Sequence, residues 1–448
     1  MRRTPTADAI VIGAGIAGIA TAWSLARRNG DRKTVLVDAL SPMSFTSAQS
    51  GENYRNWWPH PLMTGFIDHS LDLLEQVVKE AGGDVSVNRR GYALATRREE
   101  IGELLHSLHA GYGGKTGTPV RQHDHHGSYE RALSDHADGV DVCSGQAFAQ
   151  EIYPAFDPAV RHVFHVRRAG DIDSYALAQH MLKQIRAGGG MLLRGEVSGI
   201  DRNASFRITL TDGRVIDAGT LVIAAGPFVN HLLAHLGERL PVRNVLQQKF
   251  AFEDTLGAVP RDQPFAVDLD EQQLDWSDEE REWLAGDEQY SFLIRPMPGN
   301  VHRRIDGGQQ GRWLSLGWAY NEQAGEPAWS PPLDERFPEI VMRAASHLNP
   351  TLKPYIERMP AARRHYGGYY TMTDENLPII GPLPVEGAFV VAGLSGFGTM
   401  AACAAGDCCA RWISDAAPMP YARRLSLARY DDASFMQELA KNRNRGVL

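Results

Sequence analysis

Asp8-Ala9-Ile10-Val11-Ile12-Gly13-Ala14-Gly15-Ile16-Ala17-Gly18 is the stretch that decides how the chain is read. Ala9 to Ile12 is a short apolar run rich in β-branched residues, which reads as a buried strand, and it breaks into a G-x-G-x-x-G turn. Residues 19–28 carry helical patterning that stops at Asn29-Gly30. A second strand, Thr34-Val35-Leu36-Val37, then ends on Asp38, 20 residues after Gly18. Each part has a mechanical task in a dinucleotide site: Gly13 makes the tight turn, Gly15 lets backbone approach a pyrophosphate, and Gly18 lets helix and strand pack closely. The helix N-terminus offers free N–H groups to the phosphates, and Asp38 is placed to accept from ribose hydroxyls. The motif alone does not separate FAD from NAD.

At 448 residues, 43% hydrophobic and 22% charged, the chain is long enough for two or three ordinary globular domains. Its four cysteines, Cys143, Cys403, Cys408 and Cys409, form no disulfide framework and no C-x-x-C, which points to a reducing, cytoplasmic setting. The apolar run at 10–19 is broken by glycines and reads as strand and turn, not as a signal segment. No stretch approaches the length of a membrane span, and the net charge of −8 supplies no basic footprint for nucleic acid.

Beyond Asp38, residues 39–61 read as a long loop with Arg55, Trp57 and Trp58 near its end, followed by a scaffold helix over 62–81. Residues 91–96 read as a strand and 99–110 as a helix. His123, His125, His126 and His136 lie in a polar segment whose spacing matches no metal-ligand pattern, so 121–141 reads as a solvated loop. Residues 174–187 read as a helix and 191–193 as a strand. Strands at 206–211 and 214–217 flank Asp212-Gly213, and 221–226 reads as a buried strand running into a glycine turn. No second G-x-G-x-x-G occurs, so electrons are expected from an organic substrate and not from a nicotinamide cofactor.

Residues 242–350 read as a separate unit with strands at 242–252, 290–296 and 312–320. Within it, 268–288 holds ten acids against one base, Arg281, an excess that suits a solvated helix or an acidic docking face. Further on, Gly393-Leu394-Ser395-Gly396-Phe397-Gly398-Thr399-Met400 follows a buried strand at 388–392 and opens a small-residue helix over 401–413. That is a second anion-attracting helix start, suited to the negative edge of a reduced flavin. The tail beyond 418 is charged, and basic at 441–445.

Four separated blocks carry a family resemblance: the glycine loop with Asp38, the segment ending at Arg55, residues 169–173 with 221–226, and residues 369–400. In their order and spacing the chain resembles the D-amino-acid-oxidase-like family of FAD enzymes, the superfamily of sarcosine oxidase and glycine oxidase. The resemblance implies an α/β fold, α+β overall. An interrupted Rossmann-like FAD-binding domain (1–88, 152–241, 360–417) joins a substrate domain with a large mixed, mostly antiparallel sheet (89–151, 242–359). It further implies oxidation of the C–N bond of an amine or amino acid by hydride transfer to flavin N5, with hydrolysis of the imine and return of electrons to O2 or another acceptor. Two other readings stay open: a 2-hydroxy-acid dehydrogenase, and a flavoprotein that binds FAD for assembly without turnover.

Carried over by position, the resemblance assigns FAD to Gly13, Gly15, Ile16, Ala17, Gly18, Asp38, Ser50, Gly51, Arg55, Val197, Ala225, Gly226, Gly393, Gly396, Phe397, Gly398, Thr399 and Met400. Arg55, Ser315 and Tyr370 fall at catalytic positions, and Trp57, Trp58, Tyr290, Arg295 and Tyr369 are expected to frame the substrate. The departures also matter. No cysteine precedes Tyr370-Thr371, so FAD is expected to be non-covalent, with His60 the lesser alternative for attachment. Ser315 stands where the sarcosine oxidases carry an oxygen-activating lysine, leaving Arg55 or Lys249 to supply a cation. Met400 replaces a carboxylate-binding lysine, which suggests a substrate larger and more apolar than sarcosine. Oligomeric state is not legible.

Overall fold

Thr6–Ile12 lies between two parallel neighbours, Thr34–Asp38 on one side and Val215–Ile223 on the other. Ile10, Val11, Leu36 and Val222 are fully buried because a parallel strand covered on both faces must be apolar on both. The computed structural model of the protein describes residues 6–29, 33–112, 120–130, 138–306 and 311–441. The expected helix stop at Gly30, His136 and the basic residues 442–445 lie outside them.

Met191–Arg194 extends this sheet beyond Thr34–Asp38. On the other side Val215–Ile223 serves two partners in turn. Its start pairs antiparallel with Phe206–Leu210, and its end runs parallel to Ala388–Ala392. The strands expected at 214–217 and 221–226 are therefore one strand, and the polar break around Asp217 and Gly219 falls where the partner changes. Val197–Arg202 and Ile379–Pro382 complete the sheet.

Against one face pack the helices Ile16–Asn29, Pro61–Glu80, Ser174–Ala187 and Gly398–Ile413. The first and last of these touch backbone to backbone. A Cβ on Gly406 would stand 2.5 Å from the Ala20 carbonyl, so only glycine lets the helices cross there. His60 caps Pro61–Glu80, its Nδ1 accepting from Leu62 N at 3.2 Å.

The second sheet runs in the order Arg363–Met372, Arg243–Glu253, Trp313–Gly317, Val301–Asp306, Phe265–Asp268, Tyr92–Thr96, His162–Val166, Val140–Ser144, Val120–His123. Three readings of the sequence are corrected here. Residues 290–296 form a 3-10 turn, Ser291–Ile294, because their apolar side chains anchor a loop and no strand partner faces them. The histidine-rich segment contributes a strand, Val120–His123, parallel to Val140–Ser144, with His123 Nε2 2.9 Å from Asp141. The long loop over 39–61 contains a 3-10 turn, Thr46–Gln49, and the strand Asn53–Arg55, which pairs with Ala169–Ile172 in a small third sheet.

The acidic segment divides. Asp278–Ala285 is a helix with a Ser277–Glu280 capping box, tied down by Arg343 to Glu280 at 2.5 Å. Asp268, by contrast, is fully buried on a strand and pairs with Arg97 at 3.0 Å.

Gly406→Val tests the helix crossing. Overpacking at a backbone contact costs about 1–3 kcal/mol or more, so the denaturation midpoint should fall and bound flavin should be lost in parallel. An unchanged midpoint would show that the helices can separate without penalty.

Candidate active site

The turn after Thr6–Ile12 is built from backbone that tolerates no side chains. Gly13 has φ +108°, and a Cβ there would overlap the Ala224 carbonyl oxygen; one on Gly18 would overlap the Gly13 carbonyl oxygen. Gly15 leaves its space to Ser47, whose Oγ accepts from Ile16 N at 3.0 Å at the helix start. Ser47 has no signal in the glycine motif itself; only the fold brings it beneath the helix N-terminus. Asp38 holds the turn, accepting from Ala14 N at 2.6 Å and Leu40 N at 2.7 Å. Burial raises its pKa, and those two N–H groups oppose the rise.

A cavity of about 520 Å³ opens over this turn. Gly13, Gly15, Ile16, Ala17 and Asp38 line one end, with Val197, Ala225 and Gly226 beside them and Gly393 and Gly398 along the far wall. The size, the Cβ-free cradle and the helix start together fit an extended dinucleotide. Phe45, Phe228 and Trp329 also line it and pack on one another, Phe228 and Trp329 stacked at 4.2 Å; the sequence offers no periodic signal for that cluster.

A second, small cavity of about 40 Å³ adjoins the start of Gly398–Ile413. Ser50, Gly51, Glu52, Asn53 and Arg55 line one side, Gly396, Thr399, Met400 and Tyr370 another, and Tyr92, Lys249, Phe265 and His302 the rest. Ser50 Oγ lies 2.8 Å from Thr399 Oγ1, joining the loop to the helix start. Arg55 is buried on its strand, donates from Nε to the Trp57 carbonyl at 3.2 Å and lies over the Trp58 ring at 4.4 Å. Burial lowers its pKa, opposed by Tyr92 and Tyr370. Burial pushes the Tyr370 hydroxyl up to about 12, with Arg55 opposing. Lys249 Nζ donates to the Gln49 carbonyl at 2.8 Å. Burial, with the Arg304 charge adding to it, brings Lys249 down to about 7 against the pull of Asp306 and Glu52.

Several expected site residues sit elsewhere. Ser315 lines neither cavity; its Oγ meets Tyr366 Oη at 3.1 Å. It shares a strand face with Gly317 but lies two residues along, about 7 Å away. Trp57 is packed in the core beside Tyr92, Trp58 meets Phe397 edge-on at 4.9 Å, and neither they nor Phe397 line either of these two cavities. Gly18 acts through packing alone. Tyr369 lines the large cavity, its Oη accepting from Ala328 N at 3.1 Å. Tyr290 donates to Asp334 at 2.8 Å, and Arg295 is exposed at the end of a surface turn. The apolar frame expected for a large amine therefore does not surround the small cavity. His302, Phe265 and Tyr92, which do line it, come from strands whose polar or short patterns carry no site signal.

The chain matches the DAO family, FAD dependent oxidoreductase, over residues 8–412, and it belongs to that family. The uncharacterized oxidoreductase YurR of Bacillus subtilis (strain 168) is 24% identical over 257 residues, covering 55% of this chain and 62% of that protein, so the match spans less than two thirds of its relative. In fold the chain is similar to L-proline dehydrogenase from P. horikoshii, with TM-score 0.73, 18% identity and coverage of 96% and 99% of the two chains. Glycine oxidase from Geobacillus kaustophilus gives TM-score 0.69, 17% identity and coverage of 95% and 99%. The protein is thus an FAD-dependent oxidoreductase with a mixed α/β fold. No helix among its described residues is long and apolar enough to cross a membrane.

The Lys249 shift gives a stability prediction. Its folded pKa of about 7 lies below the ordinary 10.5, so between these values the unfolded chain holds a proton that the folded one does not. The destabilisation is complete below about 7 and fades as pH rises toward 10.5. Lys249→Met should therefore raise the melting temperature by several degrees more at pH 6 than at pH 10. Equal shifts at both pH values would refute the buried, depressed lysine.

Proposed function

We propose that the protein oxidises the C–N bond of a small amino or imino acid. The observation that carries this reading is the small cavity, where Arg55, Lys249 and Tyr370 meet beside residues 396–400 at the end of the dinucleotide cavity. The buried Arg55 guanidinium and the Tyr370 hydroxyl suit a carboxylate, and a space of about 40 Å³ suits few atoms. This favours a compact acid over the larger apolar amine suggested by Met400.

FAD bound in the large cavity supplies the two-electron acceptor. Gly13, Gly15, Ile16, Ala17 and Asp38 would hold its ADP half, Val197, Ala225 and Gly226 its middle, and Gly393, Gly396, Gly398 and Thr399 its ring. Arg55 would take the substrate carboxylate, its orientation fixed by the Trp57 carbonyl and the Trp58 face. Tyr370 stays protonated and donates a hydrogen bond. Held by its carboxylate in this small cavity, the substrate would present its α-carbon toward the helix start at Gly398–Ile413. The bond to FAD is read as non-covalent, since residues 365–368 contain no cysteine and His60 is engaged in capping a helix. O2 or another acceptor would take the electrons from FAD. Residues 1–88, 152–241 and 360–417 form the FAD unit in this reading, and 89–151 with 242–359 the substrate unit.

A 2-hydroxy acid offers the same carboxylate, so the panel must separate the two. Anaerobic reduction of the bound flavin is expected with a small amino or imino acid and not with its hydroxy analogue; admitting air then distinguishes oxidase from dehydrogenase. Bleaching by hydroxy acids alone would reverse the assignment, and bleaching by none, with dithionite effective, would favour a non-catalytic flavoprotein. Arg55→Met should weaken carboxylate binding by about 10- to 100-fold, the worth of a charge-assisted hydrogen bond, and this is checked by titration of the flavin spectrum. Acid precipitation should leave the yellow chromophore in the supernatant; a coloured pellet would mean covalent attachment.

A further inference from the structure

Lys249, Gly317 and His302 stand side by side on three adjacent antiparallel strands, Lys249 opposite Gly317 and Gly317 opposite His302. Directly opposed residues project to the same face of a sheet. A Cβ on Gly317 would overlap His302 Nε2, so the glycine leaves open the space across which the imidazole lies toward Lys249. Both side chains line the small cavity, and they are only 9% and 8% exposed. Lys249 Nζ makes one hydrogen bond, to the Gln49 carbonyl, and His302 Nδ1 has no hydrogen-bond partner among the described residues. The ring atom that reaches the Gly317 position, between the two side chains, is Nε2; Nδ1 is itself buried, and the ring is steadied by the Asn300 backbone.

We propose that Lys249 accepts the proton of the substrate's ammonium group and that His302 positions the substrate through the Nε2 edge it presents across Gly317; the inference rests on the amino-acid reading above. In the step, the ammonium N–H bond breaks, an N–H bond forms at Nζ, and the electron pair stays on the substrate nitrogen. That pair would let the α-carbon release its hydrogen with the bonding electrons, as a hydride for which FAD when bound would be the acceptor, leaving the substrate as an iminium. Lys249 would release its proton to water after product leaves. No oxidant beyond FAD is required.

The surroundings support this chemistry. Arg304 and Asp306 face Lys249 from the strand of His302, Glu52 and Arg55 from the 50–55 segment, Tyr366 and Tyr370 from Arg363–Met372, and Tyr92 from its own strand. Arg304 is fixed between Glu52 at 3.3 Å and Asp306 at 2.6 Å, so it disfavours a charge on Lys249 without competing for its proton. The lysine at about 7 can therefore be neutral when substrate arrives. Burial, with Lys249 adding to it, pushes His302 down to about 3 against the Asn300 backbone, so its ring stays uncharged through the neutral range.

The test uses the FAD-loaded enzyme and 2-aminoisobutyrate, an amino acid with no α-hydrogen. Calorimetry in buffers of different ionisation heat counts the protons released on binding. The wild type should release about one proton at pH 6 and almost none at pH 8.5, because a neutral lysine absorbs the ammonium proton. Lys249→Met, or Lys249→Arg should the first fail to load FAD, should remove this pH dependence and slow flavin reduction by an oxidisable amino acid about 100-fold at pH 7. His302→Leu should weaken binding about 10-fold while preserving the pH dependence. A pH-independent proton count in the wild type, or wild-type dependence surviving in both lysine variants, would overturn the proposal alone. If 2-aminoisobutyrate does not bind and no amine reduces the flavin, the amino-acid reading fails and this proposal fails with it.

Discussion

The closeness of backbone to backbone around Gly13 is the constraint on which the rest of the molecule depends. Gly13 touches the Ala224 carbonyl and Gly18 the Gly13 carbonyl, so the first strand, the first helix and the turn after Val215–Ile223 share a space without side chains. The helix can then begin at the end of the sheet, with its first residues lining the large cavity. Gly406 repeats the device on the helix's other side, bringing Gly398–Ile413 against Ala20 and setting the second helix start at the far end of the same cavity. Both ends of the dinucleotide site thus depend on contacts that one methyl group would abolish.

The chemistry depends on burying charge, and the protein meets that cost unevenly. Arg97 faces the fully buried Asp268, and Arg304 is held by Glu52 and Asp306, so those charges are compensated in place. Among the described residues Lys249 Nζ hydrogen-bonds one group, the Gln49 carbonyl, and Arg304 is its strongest charged neighbour, so its proton is correspondingly loose. The contrast divides the buried cations into scaffold and site. The paired charges tie their strands together, and the poorly compensated lysine is the group assigned above to proton transfer.

The glycine turn, Asp38 and the second glycine-rich helix start were legible in the chain because each is local: the residues that make the feature are neighbours in sequence, and their spacing is the feature. The parallel strands read well for the same reason, as continuous apolar runs. Val301–Asp306 did not, since the run Val-His-Arg-Arg-Ile-Asp gives no plain alternation when both faces of a central strand carry buried polar groups. Residues 290–296 misled in the other direction, because apolar residues that anchor a loop look like a strand when their partners are unknown. Ser315 stood on the strand expected of it, but a shift of two residues along the pleat placed it against Tyr366 and outside the cavity.

Read alone, the chain therefore establishes an α/β protein of a recognisable FAD-dependent family, down to the glycines that bring backbone against backbone, since close approach is written in residue type and spacing. Folding alone brings Arg55, Lys249, His302 and Tyr370 to one small cavity, from segments separated by up to 315 residues. Their meeting depends on strand order, on register across Gly317 and on which face each residue takes. None of these has a local signature, because a side chain's charge state and partners are set by what other parts of the chain place beside it.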